Sequence, residues 1–160
     1  DPMMDTPHAA DFFGNPSFWS PFCAWLTAQV IKVAINYRAT RQIDFRYLSS
    51  LGGMPSAHSA TVCALATSVG LNAGFQSQVF MSIFIMALIV MFDASTVRRA
   101  AGLQARLLND MVQELFKEHR FSERKLVELL GHTRREVFIG LLLGVGMAVL
   151  VNAIMGNGHP

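Results

Sequence analysis

YLSSLGGMPSAHSATVCALATSVGLNAGFQSQVFMSIFIMALIVMF, residues 47–92, runs for 46 residues without one Asp, Glu, Lys or Arg. Two further stretches share that property: Phe12 to Ile31, 20 residues, and Val137 to Pro160, 24 residues. A helix that crosses a bilayer needs roughly 20 such residues. The whole chain of 160 residues is 52% hydrophobic and only 15% charged, with mean hydropathy +0.36. A soluble domain carries about 25% charged residues, so an ordinary soluble helical bundle is the poorer reading. The expected fold is all-α: a polytopic membrane helical bundle of about four spans, in one domain covering 1–160.

The spans can be placed. The first runs near Phe18 to Tyr37. The second starts at about Ser56 and ends near Leu71, where Asn72, Ala73 and Gly74 read as a turn. The third covers about Gln76 to Phe92 and the fourth about Arg135 to Met155. The second is short and rich in Ala, Ser, Thr and Gly. Small residues permit close helix contact in membranes, so it belongs inside the bundle.

Between Arg98 and Gly131 the texture changes. Leu103, Leu107, Leu108, Met111, Val112, Leu115 and Phe116 recur at helical spacing, and charged or amide residues fill the other face. This predicts an amphipathic helix between spans three and four, set on the membrane surface, on the bundle or on a second subunit, which leaves a homo-oligomer open. Residues 1–15 read as a flexible N-terminus too acidic for a signal peptide. Cys23 and Cys63 fall in apolar helices as free thiols. Nothing points to a disulfide framework, a metal site or a cofactor, and no nucleic-acid partner is expected.

With four spans, the loop after the first and the loop after the third share one side. Every Lys and Arg except Lys32 falls in or beside those loops, and the opposite side carries Asp1, Asp5 and Asp11. The positive-inside rule puts the basic loops in the cytoplasm and both termini outside. Three polar clusters then meet at one face: Pro55-Ser56-Ala57-His58, then Asp93 with Arg98 and Arg99, then His132 to Glu136. Arginine offers a fixed fork of donors that suits phosphate oxygens. Histidine serves as nucleophile or general acid near neutral pH. The helix starts at Ser56 and Thr133 add oriented N–H groups for an anion. His132 and Glu136 stand four apart at a helix start and so share a face. There the carboxylate can fix the ring's tautomer, or simply cap the helix beside an ordinary loop histidine. The constellation reads as a phosphate site at a membrane surface.

The strings GGMPSAHSATV, MFDASTVRRAAG and ELLGHTRREVFIG resemble a divergent membrane branch of the type 2 phosphatidic acid phosphatase superfamily, which also contains vanadium-dependent haloperoxidases. That superfamily carries Pro-Ser-Gly-His, and later a histidine followed four residues on by aspartate, then Val and, four after the acid, Gly. Here Ala57 replaces the glycine and Glu136 the aspartate, while Val137 and Gly140 match. The resemblance implies His132 as the nucleophile on phosphorus, Glu136 as its orienting acid and His58 as the general acid. It implies Ser56 among the phosphate ligands. The superfamily's arginine position, six before the histidine, holds Leu126 here, so Arg98 or Arg99 would take that role. Its lysine motif leaves Lys32, Arg38 and Arg46 as candidates.

The implied activity is a phosphatase or phosphotransferase on a lipid phosphate or diphosphate, through a phosphohistidine, with vanadate as a phosphate-mimicking inhibitor. The alternative is a non-catalytic protein that binds or moves a phosphorylated lipid; haloperoxidase chemistry suits an embedded site poorly. The expected location is a bacterial inner (plasma) membrane. Lipid phosphatases of this superfamily usually face away from the cytoplasm, whereas the basic loops place this face inside.

Overall fold

The computed structural model describes residues 12–41, 53–115 and 132–156. Five long helices follow in order: α1 (Pro16–Thr40), α2 (Ala57–Ala73), α3 (Gln78–Ser95), α4 (Val97–Leu115) and α5 (Arg134–Gly156). The expected all-α bundle is the observed one, with span limits within about three residues of the hydropathy reading. Local chemistry sets the ends. Asn15 caps α1, its side chain accepting from Ser17 N at 2.8 Å, with Pro16 in the first turn. Ser56 caps α2 and Ser77 caps α3. These oxygens satisfy amides that have no partner inside the helix. Gly74, at φ +86°, ends α2 where a residue with a Cβ would be strained.

α1, α3 and α5 are long and apolar enough to cross a membrane. α2, with 17 residues, spans only about 25 Å. It is the hub of the bundle, packed against α1, α3 and α5, as its small residues foretold. Contacts give the directions. Ser56 lies against Gly140, Ala60 and Ala64 against Gly144, and Ser68 against Asn152, so α2 and α5 are parallel. Ser17 meets Ser68, so α1 runs antiparallel to both. The tight turn 74–77 makes α3 antiparallel to α2.

The core is built from small side chains: Ala24, Ala28, Ala57, Ala60, Ala64 and Ala148 form one cluster. In lipid there is no hydrophobic force to draw apolar helices together, so close backbone approach and interhelical hydrogen bonds hold the bundle. A Cβ added at Gly140 would lie 2.5 Å from the Ser56 carbonyl oxygen, and one at Gly144 would collide with the Ala60 carbonyl. The large side chains point outward: Phe84, Ile85, Met86, Ile89 and Phe92 of α3 are all exposed, as a lipid-facing surface requires. At the end of the bundle away from the basic loops, Asn152 Nδ2 donates to Ser68 Oγ (3.0 Å) and Ser20 Oγ (3.4 Å). Asn72 Nδ2 donates to Asn152 Oδ1 (2.6 Å). This network ties α1, α2 and α5 at that end.

α4 follows α3 after Thr96. It is the most amphipathic of the five helices, and α3 is the helix it packs against. Leu103, Leu107, Leu108 and Met111 are exposed, so the bundle does not cover the apolar stripe among the described residues. Of the expected flexible N-terminus 1–15, residues 1–11 lie outside the described residues, as do the remainder of the surface segment, 116–131, and Arg46.

Candidate functional site

Three helix ends meet at the basic face, joined by backbone hydrogen bonds. The N–H of Ser56, before α2, donates to the Glu136 carbonyl in the first turn of α5 at 3.1 Å. The N–H of His132, before α5, donates to the Ala94 carbonyl in the last turn of α3 at 2.9 Å. The Ser56 N–H and the Ala94 carbonyl are helix-end groups that no intrahelical partner satisfies. The two bonds fix where the two imidazoles stand.

His132 is almost wholly buried, 2% exposed. Its Nδ1 lies 2.9 Å from Glu136 Oε2. A carboxylate only accepts, so Nδ1 donates and the ring of a neutral His132 keeps its lone pair on Nε2. The same Oε2 accepts from Thr133 N at 3.2 Å, while Glu136 N donates back to Thr133 Oγ1 at 3.3 Å. That reciprocal pair is a capping box. The two alternatives for Glu136, helix cap and orienter of His132, are therefore both realised, through one oxygen atom. The cap holds the carboxylate still and the carboxylate holds the ring.

His58, in the first turn of α2, is exposed. Its ring centroid is 6.5 Å from that of His132, with 55° between the planes. Lys32 is buried in α1, 5% exposed, within the electrostatic field of Glu136. An ionisable group at such depth is costly unless paired. Three residues before it, Gln29 is buried with Oε1 unpartnered among the described residues. Ser56 is fully buried; its Oγ accepts from Ser59 N (3.4 Å) and Ser59 Oγ (3.0 Å), which leaves the Ser56 hydroxyl proton available.

The fold thus gathers His58, His132, Glu136, Lys32 and Ser56 at one end of the bundle. Arg99 is exposed on α4 and has no described contact with either imidazole. Arg98 lies one helical turn after Ala94; its side chain, and all of Arg46, are outside the described residues. Sequence reasoning missed Ser59, the Ala94 carbonyl and the Thr133 half of the capping box. The Thr-x-x-Glu spacing at 133–136 was the signal available for the last.

The sequence profile of the divergent PAP2 family matches residues 13–147. An uncharacterized membrane protein of Bacillus subtilis (strain 168), YuiD, is 41% identical over 143 aligned positions, covering 82% of this chain and 90% of the relative. No solved structure matches the chain significantly. On the extent of the profile match and the identity with its membrane relative, the chain belongs to the divergent PAP2 family.

Proposed function

We propose that the protein is a membrane-embedded phosphatase or phosphotransferase acting on a lipid phosphate or diphosphate through a phosphohistidine at His132. The observation that carries this reading is the buried His132, held by Glu136 at Nδ1, with His58 facing it across 6.5 Å. Nε2 of His132 attacks phosphorus; a P–N bond forms as the P–O bond to the leaving group breaks. His58 delivers its proton to the departing oxygen. Water or an acceptor hydroxyl then attacks phosphorus, His58 takes that proton, and the P–N bond breaks. The negative Glu136 stabilises the charged ring of the intermediate. Lys32, Ser56 and Arg98 or Arg99, with Arg46, are the groups assigned to the phosphate oxygens, and vanadate is the expected inhibitor. The site lies at the basic end of the bundle, which favours the cytoplasmic face of a bacterial inner membrane.

The test uses purified protein in lipid and phosphatidic acid or a prenyl diphosphate labelled at the terminal phosphate. Acid-labile, base-stable label on the unmodified protein, absent in His132→Ala, supports the reading. His58→Ala should slow release from poor leaving groups by about 10²- to 10⁴-fold, and far less from good ones. No label and no phosphate release, with lipid binding intact, would replace the enzyme by a protein that binds or moves phosphorylated lipids.

A further inference from the structure

Below the histidines the bundle has a gap. α3 packs along α2 but meets α5 only sparsely, so a wedge opens between α3 and α5 with α2 as its floor. The resulting groove has a volume of about 440 Å³, within the range of small-molecule sites. Its walls are apolar: Cys63 on α2, Ala87, Leu88 and Met91 on α3, Leu141 and Val145 on α5. Leu88 and Val145 are 47% and 38% exposed, so the groove opens sideways to the lipid-facing surface. Apart from Thr67, water finds no side-chain hydroxyl or amide partner among the lining residues, and hydrocarbon is the solvent outside it.

Both ends of the groove are defined. At the site end, Met91 stands one turn before Ala94, whose carbonyl holds His132. On α5, Arg134, Phe138, Leu141 and Val145 follow at spacings of four, three and four and so form one face. That face carries an exposed cation at the membrane surface and leads down into the groove. At the far end, Phe75 and Phe80 meet edge to face at 5.1 Å, and Phe80 stacks on Phe84 at 5.7 Å. Phe75 sits where a side chain on Gly70 would be, 2.5 Å from an added Cβ. From Met91 to Phe80 the groove runs about 16 Å along α3.

We propose that this groove receives one hydrocarbon chain of the phosphorylated lipid, and that Phe75, Phe80 and Phe84 set the longest chain it holds. The proposal rests on the phosphate site above and names its substrate class: an anionic phosphate headgroup at the histidines with a single extended chain beneath it. Lateral entry from the bilayer follows, because the opening faces lipid.

The test measures binding, without turnover. Alkyl phosphates from butyl to octadecyl are titrated as monomers into the purified protein, and inorganic vanadate is titrated separately. Affinity should rise with chain length by about fourfold per methylene that leaves water, then level off where the chain reaches the phenyl rings. Val145→Trp, at an exposed rim position, should flatten the dependence on chain length while vanadate binding is unchanged. Phe80→Ala should move the plateau to longer chains, the opposite change at the opposite end. If vanadate and butyl phosphate bind but neither substitution alters the chain-length profile, the groove is not the chain site and the phosphate site stands. If the unmodified protein binds neither vanadate nor any alkyl phosphate, the phosphate reading falls and this proposal falls with it.

Discussion

Gly144 and Gly146 lie two residues apart on α5, and alanine at each should have opposite consequences. A Cβ at Gly144 would run into the Ala60 carbonyl and stand 3.0 Å from both Ala64 N and Cys63 Cβ, whereas a Cβ at Gly146 meets nothing within 4 Å. The atoms opposing Gly144 are mostly backbone and cannot rotate away, so α5 must move off α2. Overpacking of this kind costs typically 1–3 kcal/mol. Replacing glycine by alanine inside a helix returns about 0.5–1 kcal/mol at either position. That gain cancels between the two variants, so their difference in stability is the clash alone, about 1–3 kcal/mol. Reversible unfolding in mixed micelles, followed by far-ultraviolet circular dichroism against a denaturing detergent, measures it. Gly146→Ala should match or exceed the unmodified protein and Gly144→Ala should fall below it. The same shift would loosen the bond between Ser56 N and the Glu136 carbonyl, so Gly144→Ala should also weaken vanadate binding. If the two variants agree within about 0.5 kcal/mol, the size of an ordinary surface substitution, the close α2–α5 contact is wrong.

Glu136→Gln keeps an acceptor for Thr133 N and the shape of the cap, so the protein should fold; without the charge beside Nδ1, phosphohistidine formation should fall by at least about tenfold, for a loss of about 1.5–3 kcal/mol, read from the rate of label incorporation. Asn152→Leu removes the group that joins Ser20, Ser68 and Asn72 and should destabilise the far end by about 1–2 kcal/mol, seen as earlier unfolding in the same micelle titration with vanadate affinity retained. Single cysteines at Gly156 and Gln104, in a background without Cys23 and Cys63, should label on intact cells with an impermeant thiol reagent at 156 and not at 104; the reverse pattern would place the histidines outside the cytoplasm.

The helices were legible because their signals are local. A run such as MSIFIMALIVMF has one stable state in lipid, a helix with its backbone bonds closed internally, and the Asn72-Ala73-Gly74 turn marks the end of the preceding helix by chemistry within a few residues. The pairing of His132 with Glu136 was legible for the same reason, since four residues make one turn. The central place of α2 followed from its small side chains. The structure sets Ser56, Ala60, Ala64 and Ser68 against Gly140, Gly144 and Asn152 of α5, a pairing that spacing alone does not name.

Other facts came only with the tertiary structure. In the sequence Lys32 is one of three candidates for the lysine motif; only the tertiary structure sets α1 beside α5 and brings it into the field of Glu136. His58 and His132 are 74 positions apart, and the distance between their rings is set by two backbone bonds, from Ser56 and from His132, whose partners no local pattern names. The same holds for the groove, which exists because α3 leans on α2 and away from α5. Composition and spacing determine what each segment becomes in a bilayer. Which faces meet depends on packing among helices that are all equally soluble in lipid, and in such a solvent only complementary shape and a few polar contacts between distant residues decide it.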